Sequence, residues 1–307
     1  MKYSGIGGQA VMEGVMMKNQ NDYAIAVRKP DHEIEICKKE YTGASRGTAA
    51  KIPFLRGILS FIDSLVLGVS TLMYSASFFE DEETNEKGKT KRQEAQEKAL
   101  MTGTMIVAFI IALALFVLLP YYLSNLFLRM HAHDVTVKIA EGLIRLAIFV
   151  GYIIVISRMK EIQRVFMYHG AEHKCINCIE HGLDLTVDNV RISSKAHKRC
   201  GTSFLVFVVI LSIILFIFIR VDSHLMQVAI RFLLVPVIAG VSYELLHAAG
   251  KSDNALTNAL SRPGLAFQSL TTKEPDDEMI EVAIASVEAV FDWKDFVRQV
   301  REEGEDL

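Results

Sequence analysis

The chain has 307 residues, 51% of them apolar, and a formal net charge of −3. Half-apolar composition with a positive mean hydropathy argues against an ordinary soluble enzyme, and the near-neutral charge carries no basic stripe interleaved with aromatics, so no nucleic-acid partner is implied. The four cysteines, Cys37, Cys175, Cys178 and Cys200, all fall on segments assigned below to the cytosol, where thiols stay reduced, which argues against a disulfide framework.

From the start of the chain, Met1 to Gln20 lacks the charged start and continuous apolar core of a signal peptide, and the N-terminus is expected in the cytosol. Tyr23 to Val27 and Glu33 to Cys37 flank Lys29-Pro30-Asp31 and read as a β-hairpin with Ile34 and Ile36 on one face. The preceding run from Gly7 to Lys18 adds a strand or a backbone-tight loop. Its Gly7, Gly8 and Gly14 form neither a Walker loop nor a dinucleotide fingerprint, so a structural turn is expected. Pro53 to Phe79 is apolar but interrupted by Arg56 and Asp63. Basic residues flank it on both sides, so the favoured reading is an interfacial or re-entrant helix, with a fifth crossing as the alternative. Glu80 to Lys98 is a solvated charged linker.

Met101 to Leu128 contains no Asp, Glu, Lys or Arg and exceeds the roughly 20 residues that cross a bilayer. Gly201 to Ile219 is equally uncharged, and Ile139 to Ser157 and Leu225 to Ala249 also read as spans despite Glu141, Arg145, Arg231 and Glu244. Four crossings are therefore expected. The loop from Arg158 to Cys200 collects eight Lys and Arg (Arg158, Lys160, Arg164, Lys174, Arg191, Lys195, Lys198 and Arg199), whereas the connections around Met130 and Asp222 hold only Arg129, Lys138 and Arg220. The positive-inside rule then puts that loop, and both termini, in the cytosol. After the last span, hydroxyl residues, Pro275 and early acids announce an amphipathic helix carrying Met279, Ala283, Val287, Val290, Phe291 and Val297 on one side, expected to pack within the protein.

The fold class expected is mainly α: a polytopic helical membrane protein with about four transmembrane helices, one interfacial or re-entrant helix and a small N-terminal β-hairpin region. Its divisions are residues 1–51 (glycine-rich hairpin region), 52–79 (interfacial, re-entrant or transmembrane helix), 80–100 (linker), 101–157 (helical hairpin), 158–200 (cytosolic loop), 201–249 (helical hairpin) and 250–307 (C-terminal segment). No internal repeat of the kind seen in transporters is evident.

The chemistry concentrates in His169-Gly170-Ala171-Glu172-His173. On a helix, imidazoles four residues apart share one face and can grip one ion. The order H-x-x-E-H is that of inverted zinc peptidases, where the glutamate is the general base. Glu172 is accordingly the catalytic candidate, and His169 and His173 the metal ligands. Glu244, a carboxylate in an apolar helix, is the leading third ligand, with an ion pair to Arg145, Arg231 or a loop lysine as its other explanation. His247, His197 and Cys200 are further possible site residues, Cys200 as ligand or nucleophile. Cys175 and Cys178 have C-x-x-C spacing but lack a second pair for a structural zinc.

The blocks Gly7 to Met17, His169 to Lys174, Arg199 to Phe204, Tyr243-Glu244 and Gln268 to Pro275 resemble the YqhQ family of bacterial membrane proteins, over nearly the whole chain. The resemblance implies a plasma (inner) membrane protein of undefined role, described as a predicted metal-dependent enzyme. It groups His169, Glu172, His173, Cys200 and Glu244 and does not require Cys175 or Cys178. The expected function is a metal-dependent hydrolase facing the cytosol, using zinc or another divalent transition metal and acting on peptide bonds near the inner leaflet, or on lipid headgroups. A non-catalytic membrane scaffold or assembly factor using the same residues structurally, docking a membrane or cytosolic protein, is the alternative. A transporter, motivated by the charges within spans, is the third.

Overall fold

A computed structural model describes residues 3–46, 52, 54–79, 91–128, 134–219, 221, 223–251 and 255–305. The linker expected over 80–98 lies largely outside them, as do Arg129, Met130, Arg220 and Asp222 of the short connections. The chain divides into two compact units, one formed by Met1–Phe79, Val155–Phe207 and Ala239–Leu307, the other by Glu80–Ile154 and Val208–Ile238.

The first unit is built on a four-stranded antiparallel sheet, β1 (Gly7–Val11), β2 (Gly14–Asn19), β3 (Asp22–Arg28) and β4 (Ile34–Glu40), in that spatial order. The β3–β4 hairpin agrees with expectation. The glycine-rich run before it takes the strand alternative, forming a second hairpin around a tight turn, with Gly7 facing Lys18 and Val11 facing Gly14 across the pair. Two-residue turns close β1–β2 and β2–β3, and Glu13 and Gln20 take the positive φ, 48° and 49°, that such turns need. Strand periodicity separates two apolar faces. Val15, Met17, Ala24 and Ala26 enter one core, and Val11, Met16, Ile25 and Val27 another. Burial on both faces is why Tyr23 to Val27 reads as an unbroken apolar run.

The first core is completed by α5 (Lys160–Glu180), α6 (Val187–Ile192), α10 (Asp277–Val290) and α11 (Trp293–Glu305). Asp276 caps α10 through Met279 N–H (2.9 Å), and Met279, Ile280, Val282, Ala283 and Val287 are buried against the sheet and α5. The single C-terminal helix expected from periodicity is in fact two. The chain is extended at Phe291, and Asp292 accepts from Asp295 N–H (3.1 Å) to start α11. The second face of the sheet is covered by α1 (Leu55–Ala76), through Leu67, Tyr74 and, just beyond it, Phe78 and Phe79. Asp63 of α1 accepts hydrogen bonds from Tyr41 Oη (2.6 Å), Ser45 N (2.7 Å) and Ala44 N (3.0 Å).

The second unit contains α2 (Lys91–Leu113), a π-helical turn at Ala114–Leu118, α3 (Leu119–Leu128), most of α4 (Asp134–Ile156), and the adjoining parts of α7 (Gly201–Ile217) and α8 (His224–Lys251). α9 (Ala255–Thr271) belongs to the first unit. Within the second, Glu141 is buried and paired with Arg145 (2.8 Å) and Arg231 (2.7 Å). Arg145 also donates to the Phe116 carbonyl in the π turn (3.0 Å), a position where the regular helical bonding pattern is interrupted.

Four helical segments are long and apolar enough to cross a membrane: Leu55–Phe79, Ala99–Leu126, Val135–Ile156 and Leu225–Ala249. The number matches expectation, but the membership differs. Length and composition admit the α1 segment and leave Gly201–Ile217 as a shorter apolar helix.

Candidate metal centre

α5 begins at Lys160, three residues after the apolar run of α4 ends, and from Tyr168 to Glu180 it is buried at every position except the partly exposed His169. Helical spacing brings the two histidines of its H-x-x-E-H motif edge to face, with ring centroids 4.4 Å apart. His169 Nδ1 lies 2.9 Å from the Thr271 carbonyl at the end of α9, and His173 Nδ1 lies 2.7 Å from the Lys195 carbonyl in the segment before α7. A carbonyl only accepts, so each Nδ1 carries the proton and each Nε2 keeps its lone pair. This is the arrangement that orients metal-ligating imidazoles, with the far nitrogen tied to a backbone acceptor.

His169 Nε2 meets Cys200, the residue before α7, and His173 completes the group. Cys200 Sγ is 3.1 Å from His169 Nε2 and receives Thr202 N–H at 3.4 Å. His169, His173 and Cys200 form the group able to hold a metal ion among the described residues, their ligand atoms all within 4.8 Å of one another. Ligands on one tetrahedral zinc stand about 3.3–3.6 Å apart, so closing around an ion requires movements of roughly 1 Å. His173 Nε2 is buried and lacks a hydrogen-bond partner, a donor set of a kind that an ion would satisfy.

Glu172 lies beside this group, buried, with Oε2 unpartnered. Burial raises its carboxyl to about 7, opposed by the nearby His169 and by the Gly8 backbone N–H. Gly8 admits it: a Cβ there would stand 2.6 Å from the Met16 carbonyl and 2.9 Å from Glu172 Cδ. Gly170 is constrained in the same way, since a Cβ would meet the Lys273 carbonyl at 2.0 Å. That contact belongs to the same tether that delivers Thr271 to His169, because Lys273 N–H bonds the Phe166 carbonyl (2.9 Å).

The remaining expected site residues fall in three places. Glu244 is not in the histidine–cysteine group; it accepts from Arg56 Nε (2.7 Å) and Phe54 N (3.1 Å), an ion pair with a partner different from those considered in the sequence. His247 stacks on Tyr243, centroids 6.1 Å apart. His197 is adjacent, its ring 5.4 Å from that of His173, and Arg199 Nη2 approaches its Nε2 at 3.2 Å. Burial, followed by the neighbouring His173, Arg199 and His169, holds its pKa well below the usual value, so it is a neutral acceptor. Its backbone is fixed by Gln268, whose Nε2 donates to the His197 carbonyl (2.6 Å). Cys175 and Cys178 belong to the apolar core, and burial pushes both thiols up. The carbonyls of Thr271 and Lys195 and the roles of Gly8 and Gln268 were not assigned from sequence. Carbonyls leave no sequence signal, although the paired glycines did.

The family described as "Protein of unknown function (DUF1385)" matches residues 52–293. The chain is 36% identical over 286 residues to "Uncharacterized protein YqhQ" of Bacillus subtilis (strain 168), covering 91% of this chain and 90% of that protein. No solved structure matches.

Proposed function

The chain belongs to the DUF1385 family, and we propose that it is a membrane-embedded, metal-dependent hydrolase whose ligands are His169, His173 and Cys200. The observation that carries this reading is the paired tethering of both imidazoles through Nδ1, which leaves both Nε2 atoms free of backbone acceptors in a group with the Cys200 thiol, beside a buried carboxyl with one oxygen unpartnered. A thiolate in the donor set favours zinc over manganese, and Cys200 replaces Glu244 as third ligand. Zinc held by these three residues would supply Lewis-acid activation of a water. Glu172 would be the group that takes and returns a proton there, because its carboxyl lies near neutrality. By the order of the motif, a peptide bond near the inner leaflet is the first substrate to test.

The topology follows from the shared core. Side chains of β2 and β3 pack with those of α5 and α10, so residues 15–26, 160–180 and 277–290 lie on one side of the membrane. The number of crossings between β3 and α5 is then even. α2 and α4 supply two, and α1, whose second half packs on the sheet, is read as an interfacial helix rather than a crossing. The same parity makes α7 and α8 the second pair. The positive-inside rule supports the cytosol as this side. Of the charges that motivated transport, Arg145 and Arg231 both pair with Glu141, and Glu244 pairs with Arg56.

A structural ion is the second reading, favoured by the complete burial of His173. Cobalt substitution tests the ligand set: a thiolate-to-cobalt charge-transfer band that disappears in Cys200→Ser supports it, and an unchanged spectrum rejects it. Glu172→Gln then separates the readings, keeping the metal and abolishing hydrolysis in a catalytic site while leaving a structural site intact.

A further inference from the structure

Away from the histidine–cysteine group, the first unit contains an open cavity of about 630 Å³ between the sheet and the ends of two apolar helices. Lys18 of β2, Tyr41 after β4, Ser45, Arg56 and Ser60 at the start of α1, and Tyr243 of α8 contribute to its wall. These are two cations and four hydroxyls, and among the described residues no carboxylate lines it. Asp63 and Glu244 stand behind the wall, the first accepting from Tyr41 and Ser45, the second from Arg56. Lys18 Nζ sits 3.2 Å from the centroid of the Tyr41 ring, which steadies the ammonium at the cavity.

The position of the cavity gives its occupant a second constraint. Gly57 of α1 packs closely on Gly240 and Tyr243 of α8, so the wall includes the start of one long apolar helix and the last turns of another. On α1, Gly68, Thr71 and Ser75 are buried, and Met12 N–H bonds Ser75 Oγ (3.1 Å). Ile62, Leu65, Val66 and Leu72 are exposed. A helix with polar anchoring on one side and bare aliphatic side chains on the other suits the plane of a bilayer surface. The cavity then opens where phosphate groups and acyl chains meet.

We propose that this cavity is a phosphate-binding site for the headgroup of an anionic phospholipid of the inner leaflet, with Lys18 and Arg56 facing the phosphate and the Ser60 and Tyr243 hydroxyls donating to its oxygens or to the glycerol. The acyl chains would lie along Ile62, Leu65 and Val66. Cations combined with hydroxyl donors match phosphate chemistry, and a basic residue at an anionic leaflet adds attraction that salt screens. The same chemistry would accept a soluble phosphate monoester. The inference depends on the interfacial placement of α1 and not on the metal centre.

Native mass spectrometry of the full-length protein in detergent tests it with phosphatidylglycerol, phosphatidylcholine, glycerol 3-phosphate and inorganic phosphate as separate probes. The expected result is saturable binding of one phosphatidylglycerol in preference to phosphatidylcholine, weakened about fivefold or more by Lys18→Gln and recovered in Lys18→Arg. Lys18-dependent binding of glycerol 3-phosphate or inorganic phosphate without the lipid preference supports the phosphate site and assigns it a soluble source. Binding of every probe unchanged by Lys18→Gln, in a variant with wild-type thermal midpoint and metal content, overturns the proposal. The metal content is read on the same samples, so loss of the metal reading and loss of this one are separate outcomes.

Discussion

Glu172 has no counter-charge in hydrogen-bond contact, so its protonation is linked to stability. In the metal-free protein its carboxyl sits at about 7, above the ordinary 4.5, because burial disfavours the charge. The folded state therefore retains a proton that the unfolded chain releases. The contribution of Glu172 to stability is greatest below about pH 4.5, falls as pH rises towards 7, and is then lower by a constant amount, roughly 3 kcal/mol for such a shift. Glu172→Gln removes this dependence. The variant's unfolding free energy minus that of the chelated wild type should increase over this pH window; a difference that is flat with pH contradicts the buried, unpaired carboxyl. Gly170 gives a second test at this scale. Gly170→Ala drives a methyl into the Lys273 carbonyl and moves the chain that presents Thr271 to His169. Overpacking of this kind costs about 1–3 kcal/mol, and the variant should also show weaker metal retention by equilibrium dialysis, whereas retention equal to wild type would detach the Thr271 tether from the site.

Among the elements, α1 is the one whose sequence is ambiguous, and the structure shows why. Its mean character is apolar enough for a span, yet Asp63 and Ser75 hydrogen-bond to the sheet region, and its buried positions are small or polar. Hydropathy averages around a helix and cannot distinguish a lipid-facing leucine from one packed on a sheet. The interfacial reading predicts that Ile52→Cys and Ser77→Cys, at opposite ends of α1, react with a membrane-impermeant maleimide from the same side of sealed vesicles. Reaction from opposite sides would restore the crossing. The C-terminal helices show a related loss of information: Phe291 and Val297 continue the apolar pattern of α10 closely enough to hide the extended break between α10 and α11.

At the scale of the whole molecule, much of the architecture is legible because membrane spans and two-sided strands leave continuous apolar runs. The collection of three distant segments into one unit is less so, since contact between Val15, Tyr168 and Val282 depends on packing that no local pattern encodes. The site follows the same division. The H-x-x-E-H motif exposes His169, Glu172 and His173 through local spacing, whereas Cys200 was one of several candidates and Glu244 ranked above it. A carboxylate in an apolar helix draws attention as a ligand, and in the structure Glu244 accepts from Arg56, far away in sequence. Cys200 is brought to His169 by the fold at the start of α7, 31 positions along the chain.

The most direct test of the metal centre is elemental analysis of detergent-purified protein after removal of any affinity tag, comparing wild type with His173→Ala, Cys200→Ser and Glu172→Gln. The account predicts about one equivalent of zinc per chain in wild type and in Glu172→Gln, with loss from His173→Ala and Cys200→Ser. A folded wild type that contains no transition metal and takes up none when zinc is added would contradict it.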